Sequence, residues 1–386
     1  MLIQDKQIAV VGGGPAGLTL TRLLQLQGAN VKVYERDIDK NARVQGAPLD
    51  MHEGSGLSAL RAAHLLEEFK KHFRPGADRK TIVNARAEVF YSDHETATRA
   101  DFGNEHFRPE IDRGQLRKIF LESLQPETVI WDSQFVSMQA QNEGWLLHFK
   151  NGSSAYADIV IAADGARSKI RSYITDVKPF YTGITMLEGN VQYAEKAVPE
   201  ICKLLNSGAL LAFGKGRNLL MGLKGDGNLT FYASFKTDES WAVTNGLDYA
   251  DNLEVLGWFR KAYPEWSSIW FKLFENAMTA FIPRPLYCMP PDQSWKAQSN
   301  LTMLGDAAHV MPPSAGEGAN MAMVDALELS QCLCSAHFLD IQSAIAAYER
   351  QMQERAAEAA KISLQNGEWM HSEDALERMV RLLQPS

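Results

Sequence analysis

A chain of 386 residues, 45% hydrophobic and 22% charged, is long enough for two domains, or one large interleaved one, with an ample core. Its net charge of −8 argues against nucleic acid or an anionic membrane as partner, and no run approaches the ~18 apolar residues of a membrane span. The four cysteines, Cys202, Cys288, Cys332 and Cys334, are scattered, and the last two point to different faces of a helical stretch. Buried thiols in a reducing, cytoplasmic compartment are therefore expected, with no metal centre. The first six residues run almost directly into a core strand, which leaves no room for a secretory signal.

The first expected strand is Ile8, Ala9, Val10 and Val11, followed at once by Gly12-x-Gly14-x-x-Gly17 and an apolar helix over 15–27. A second strand over 31–34 ends on Glu35. Gly12 permits a tight turn, Gly14 lets backbone N–H groups approach a pyrophosphate, and Gly17 lets the helix pack close to the strand. The helix N-terminus faces the phosphate charge. Glu35 falls near the ~20-residue spacing at which an acid reaches the adenosine ribose. Strand, glycine turn, helix and acid together read as a dinucleotide cradle.

Farther along, 53–71 reads as a helix, 82–91 as a strand and 113–124 as a helix. Apolar runs at 129–131, 145–149 and 157–163 follow, with Asn151-Gly152 marking a hairpin. Residues 180–282 change character: alternating segments at 210–213, 218–223 and 229–235 suggest an antiparallel sheet with one face free to line a site. Two aromatic-rich helical segments follow, near 248–263 and 266–278. Residues 301–304 form a buried strand that returns to the first domain, and from Gly318 the chain is mostly helical, with a long amphipathic stretch over 341–365. The expected organisation is a discontinuous nucleotide-binding domain (1–175 and 283–335), a substrate domain (176–282) and a C-terminal helical segment (336–386).

Two further motifs sit at strand ends. One is Ala163-Asp164-Gly165-Ala166-Arg167-Ser168. The other is Leu304-Gly305-Asp306-Ala307-Ala308-His309, which continues through Pro312, Pro313, Gly316, Gly318 and Asn320 into a helix. Asp306 can accept a hydrogen bond from a ribityl hydroxyl. Gly316, Gly318 and the helix N-terminus bring N–H groups toward the pyrimidine side of a flavin, where negative charge develops on reduction. No Ser/His/Asp or metal constellation accompanies them, so no catalytic residue is assigned to the protein. His309 reads as part of the loop that shapes the site. No second Gly-x-Gly-x-x-Gly follows a strand, so a separate nicotinamide-binding domain is not expected.

With these motifs in this order, the chain resembles the FAD-dependent aromatic hydroxylases, single-component flavin monooxygenases with a p-hydroxybenzoate hydroxylase-like fold. Within them it is most similar to the tetracycline-inactivating members, through residues 10–15, 33–37, 49–52, 109–113, 128–132 and, longest of all, 303–313. The resemblance spans almost the whole chain. It implies an α/β architecture: a Rossmann-like FAD-binding domain of the GR2 type, an inserted antiparallel-sheet substrate domain and a long C-terminal helix. It also implies an activity: NAD(P)H, with NADPH the expected form and visiting transiently, and O₂ are used to hydroxylate an aromatic or enol substrate through a flavin C4a-hydroperoxide. Tetracycline inactivation, and so antibiotic resistance, is among the activities implied.

Residue by residue, the resemblance implies that Glu35 holds the adenosine ribose with Arg36 beside it. Arg43 would lie near the flavin and the nicotinamide approach, Asp50 and Arg113 would contact FAD, and Asp306 would meet the ribityl chain or pyrophosphate. In the tetracycline-inactivating members polar side chains of the second domain's sheet hold the substrate. An approximate alignment puts those positions at Glu188, Leu210, Met221 and Thr230, where those members carry glutamine, arginine, phenylalanine and histidine. The expected pocket is therefore more apolar and suited to a polyketide-like phenol or enol. Leu210 and Met221 read equally well as ordinary sheet packing. Trp369 and Met370 either close the pocket or pack the last long helix to the body. A monomer is expected. Another FAD-dependent class, a reductase or halogenase, and a flavin-binding protein without turnover stay open, although no Trp-x-Trp-x-Ile-Pro run supports a halogenase.

Overall fold

The computed structural model describes residues 2–42, 47–95, 101–278 and 280–384. Alternation of short β-branched runs with helices produces a five-stranded parallel sheet. Its order is Leu301–Met303, Ile159–Ala162, Gln7–Val11, Asn30–Tyr34 and Val129–Ile130. Its central strands are buried on both faces, as a parallel sheet requires. Helices Pro15–Leu26 and Gly318–Cys334 and the first half of Ile341–Met370 pack into the same core. A three-stranded antiparallel sheet, Phe135–Gln141, Gly144–Phe149 and Ser154–Ala157, folds over it as a satellite. Among the described residues, no helix is long and apolar enough to cross a membrane.

The second sheet has seven strands, in the order Ile282–Cys288, Phe180–Val191, Leu229–Lys236, Arg217–Leu223, Ala209–Gly214, Lys80–Asn84 and Val89–Ser92. This departs from the domain boundaries expected from sequence in two places. Residues 80–92, which fall in the segment 1–175, form a hairpin (82–91 had been expected as one strand) that extends the second sheet by pairing in parallel with Ala209–Gly214. Strand Ile282–Cys288 also stays in this sheet, paired along Phe180–Val191, so the return to the first domain comes after Cys288 rather than at 283. Local patterning predicts strands, and the partner of an edge strand is fixed by long-range packing that the pattern does not encode. The helix expected over 53–71 is two helices, Gly56–Ala62 and Leu66–His72. The break falls at His64, whose φ of 59° ends the first one.

One face of the second sheet is closed by an aromatic core against Pro199–Leu205, Asn252–Ala262 and Phe271–Glu275. The other faces the first domain. It meets a short ribbon, Leu49–Asp50 paired with Glu110–Ile111, and the C-terminal half of helix Ile341–Met370. Asp112 accepts from Gly225 N–H at 2.8 Å and Arg74 donates to the Leu223 carbonyl at 2.6 Å, tying the ribbon to the hairpin of the second sheet.

Candidate active site: a flavin cleft facing a sheet

The glycine turn has the stereochemistry its sequence requires. Gly12 has φ 113°, and a Cβ there would sit 2.2 Å from the Ala163 carbonyl oxygen. A Cβ on Gly17 would sit 2.1 Å from that of Gly12. At Gly14, by contrast, a Cβ would meet nothing within 4 Å. Gly14 precedes Pro15 without a side-chain cap, so the N–H groups of the first turn are left for an anion. The crowded sides are those of the protein and the open side is the one a pyrophosphate would take, so the cradle fits a dinucleotide.

Glu35 is buried, and its carboxylate accepts from the N–H groups of Gly13 and Asp37, the latter at 3.0 Å. It therefore shapes the turn as well as standing where the ribose would bind. Arg36 beside it is exposed. Sequence reasoning overlooked Arg117, which is buried and braces the same region. It donates to Asp37 at 3.1 Å, to the carbonyls of Gly13 and Lys40, and lies 5.3 Å from the Trp131 ring centroid. The signal was present: Arg113 and Arg117 are four apart on one helix, hence on one face.

The flavin end is assembled from three segments. Gly305 has φ 60°, and its N–H donates to Asp325 at 2.9 Å. Arg171 donates to the carbonyls of Asp306 and Ala307 at 2.8 and 2.7 Å, which fixes the backbone of the turn. Asp306 is accessible to solvent at the strand end, with charged protein groups around it. Burial pushes its carboxyl upward against the pull of His309, Arg113 and Arg171. Gly316 has φ 71° and Gly318 opens onto empty space. They follow the short turn Pro313–Ala315 and begin helix Gly318–Cys334.

Asn320 ties that helix start to the ribbon, accepting from His52 N–H and donating to the Asp50 carbonyl, both at 2.9 Å. The Asp50 carboxylate lies against Gly316 and bonds His52 Nε2 at 2.8 Å. Burial raises the Asp50 carboxyl, but His52, Lys80 and Arg108 outweigh it and the net shift is downward. For His52, burial works against the proton, yet Asp50 and Glu317 together raise it. Asp164 turns inward and accepts from Lys169 N–H at 2.9 Å, serving the 165–169 turn. Arg43 lies outside the described residues.

His309 is buried and bonds Asp325 at 2.5 Å, while Asp325 also takes Arg355 at 2.8 Å. Burial opposes the His309 proton, but the Asp325 carboxylate overcomes this and raises the imidazole. His309 is thus bonded away from the cleft, in a network that holds the Gly305–Asp306 turn.

The four positions expected to hold substrate do not share a surface. In the antiparallel register Leu210 opposes Met221, and both point into the aromatic core on the helix-covered face. Glu188 and Thr230 point the other way. A one-residue offset in an alignment moves a strand residue to the opposite face, which is the error here. The neighbours Leu211 and Leu220 oppose each other on the other face, where Leu211 packs against helix Ala375–Leu383 and Leu220 also meets the patch of Ile184, Met186 and Tyr232. Thr230 is buried and bonds Asn190 at 2.8 Å. Glu188 forms an ion pair with Arg284 at 3.0 Å. Met370 packs with Ile82, Phe213 and Trp369, and its carbonyl accepts from Asn218. It fastens the long helix to the sheet.

Comparisons with known proteins bear on the same cofactor. The chain matches the family described as "FAD binding domain" over residues 5–221 and 294–363, and it belongs to that family. It is similar to the monooxygenase asqM of Emericella nidulans, at 26% identity over 94% of this chain and 95% of the relative. Among solved structures, Klebsiella pneumoniae HpxO complexed with FAD and uric acid superposes with a TM-score of 0.76 at 20% identity. That match covers 99% of this chain and 93% of that one. The tetracycline destructase Tet(55) gives a TM-score of 0.77 at 18% identity, over 99% and 96%. The protein is an FAD-dependent monooxygenase.

Proposed function

We propose that this monooxygenase uses NAD(P)H and O₂ to hydroxylate a hydroxylated aromatic or enolic small molecule. The observation that carries the reading is the apposition of two surfaces. The Gly305–Asp306 turn and the 312–318 loop form the cofactor wall. Ile184, Met186, Leu220 and Tyr232 form a mostly apolar patch of the sheet, and Gly367 lies between Ile184 and Ser314 of that loop. When bound, FAD supplies the chemistry, accepting a hydride from the nicotinamide and delivering one oxygen atom of O₂ to the ring.

The residues of the chain orient and insulate. Gly12, Gly14, Gly17 and the helix N-terminus hold the pyrophosphate, Glu35 and Arg36 the adenosine ribose, Asp306 the ribityl chain. Asp50 and Arg113 flank the ring system. Asn320 and Pro313 keep the loop near it in shape. The apolar sheet face excludes water, which protects a reactive oxygen donor from discharge.

Tetracycline is a second substrate reading, supported by the similarity to the Tet(55) fold. Ile184, Met186 and Leu220 offer a polar polycycle few hydrogen bonds, which favours simpler phenols and enols. The test is anaerobic mixing of the FAD-loaded protein with NADPH or NADH, followed by O₂ and a panel of phenols, enols and tetracycline. Flavin bleaching by a nicotinamide and a product heavier by one oxygen are expected. Failure of both nicotinamides to reduce the flavin refutes the reading.

A further inference from the structure

Along the strands Phe180–Val191 and Leu229–Lys236, Glu188 stands directly opposite Tyr232. Such cross-strand partners share a face with Cβ atoms about 4.5–5.5 Å apart. Each has a third group beside it. Arg284 donates through Nε and a terminal nitrogen to Oε2 of Glu188, both at 3.0 Å, which leaves Oε1. The backbone of Ala47 lies beside the Tyr232 phenol, which keeps its O–H to donate. The two side chains thus present one anionic acceptor and one donor side by side. Burial and the Glu188 charge push the phenol up to about 12, so it keeps its proton at neutral pH.

Around this pair the sheet face is apolar, with Ile184, Met186, Leu220 and Leu286 packed beside Tyr232. Arg113, on the opposite domain, is near enough to act on both the Tyr232 phenol and the Asp306 carboxylate, so it stands between the sheet and the cofactor cleft. A substrate that fits must be flat and largely apolar, with a donor and an acceptor on adjacent atoms of one edge. A phenol fills one of the two positions, and a hydrocarbon ring leaves both polar groups buried without partners, which is costly. A catechol edge brings a hydroxyl to each position, but it ionises less readily than an enol conjugated to a lactam carbonyl.

We propose that Glu188 and Tyr232 read the cis-lactam edge of an N-heteroaromatic substrate, a ring N–H beside a ring carbonyl or its enolate. This rests on the hydroxylase reading above. Glu188 accepts from the ring N–H, which the substrate keeps. Tyr232 donates to the lactam oxygen, and the Arg113 charge favours loss of the proton from a ring hydroxyl conjugated to that carbonyl, which leaves the ring more electron-rich and more readily attacked.

The test uses the FAD-loaded full chain with 4-hydroxy-2-quinolone, its N-methyl derivative and 2-naphthol. Binding is read from the flavin absorbance change and turnover from NAD(P)H consumption and product mass. The wild type should favour the N–H compound over its N-methyl derivative by at least about tenfold, since the methyl removes a hydrogen bond to a charged group. In Glu188→Ala that preference should collapse toward unity. In Tyr232→Phe both lactams should weaken together by about tenfold while the preference persists, with flavin content unchanged in both variants. Equal treatment of the N–H and N-methyl compounds by the wild type overturns the proposal. If 2-naphthol is turned over and the lactam is no better, the lactam assignment fails and the hydroxylase reading stands. If none of the three is turned over by a flavin that NAD(P)H does reduce, the lactam assignment fails, and the hydroxylase reading fails with it only if the wider panel of phenols and enols is inert as well.

Discussion

Asp325 is a sharp test of how the cofactor turn is held. It is fully buried on helix Gly318–Cys334, and its carboxylate meets Gly305 N–H at 2.9 Å, His309 at 2.5 Å and Arg355 at 2.8 Å. Asp325→Ala leaves a buried imidazole and guanidinium without their shared anion and an N–H donor without an acceptor. Breaking a buried pair from one side costs about 3–5 kcal/mol. Arg355 is a quarter exposed and keeps Glu328 at 2.7 Å, so its share is screened and the lower end of that range applies.

The pH dependence of this loss has a definite sign. The Asp325 carboxyl is lowered because its neighbours' charges and hydrogen bonds outweigh burial, so its contribution is present above the usual 3.8 and disappears as pH falls through its native value. The His309 imidazole is raised, so its contribution is present below 6.5 and disappears as pH rises through its native value. The difference between wild type and Asp325→Ala should therefore be greatest between these limits and shrink toward alkaline pH. Guanidinium unfolding followed by tryptophan fluorescence at several pH values measures it, with flavin retained on purification as the second readout. Asp325→Asn, which keeps an acceptor for Gly305, should lose less stability and less flavin. An alanine variant within about 0.5 kcal/mol of wild type, with full flavin content, refutes the role assigned to this network.

Three other outcomes are expected. Arg113→Ala should purify with markedly less FAD than wild type, and equal flavin content removes Arg113 from the site. Leu210→Ala should cost about 2–5 kcal/mol of stability by emptying a core position while leaving substrate preference unchanged, whereas Leu220→Phe should alter KM with little loss of stability. Steady-state kinetics and urea unfolding on the two variants separate these, and the reverse pattern would mean the faces of the sheet are misassigned. Glu110 lies opposite Asp50 in the ribbon, and burial, then the Asp50 charge, push its carboxyl up to about 8. Its ionisation destabilises the native state as pH rises from its usual 4.5 through that value. Glu110→Gln should then be at least as stable as wild type at pH 7 and gain further toward pH 9 in urea midpoints; a variant that falls progressively behind wild type over that range contradicts this.

The cofactor half of the site was legible because its chemistry is carried by backbone. A turn that must admit a phosphate needs glycine at fixed spacings, so Gly12, Gly14, Gly17, Gly305 and Gly316 announce themselves in one dimension. The strand-turn-helix order does the rest. Asp325 was not legible, and Arg117 only through its spacing from Arg113, since a charged residue on a helix reads as solvated until its burial is known. Their partners, Asp37 on one side and Gly305, His309 and Arg355 on the other, come from elsewhere in the chain. The hairpin at 80–92 was hidden for the same reason, because its neighbour in the sheet is more than a hundred residues away.

The substrate half depends on parity. A strand residue lines the cleft or the core according to whether its position is odd or even in the register, and an alignment uncertain by one residue carries no information about which. Leu210 and Leu211 are chemically the same, so composition cannot choose between them either. What chooses is the helix layer of Pro199–Leu205, Asn252–Ala262 and Phe271–Glu275, whose aromatic side chains claim one face and leave the other to the first domain and the C-terminal helices. The choice of residues that face the first domain is therefore made by an element on the far side of the sheet. A change of packing under the sheet could redirect it without altering one cleft residue, provided it slips a strand by one position.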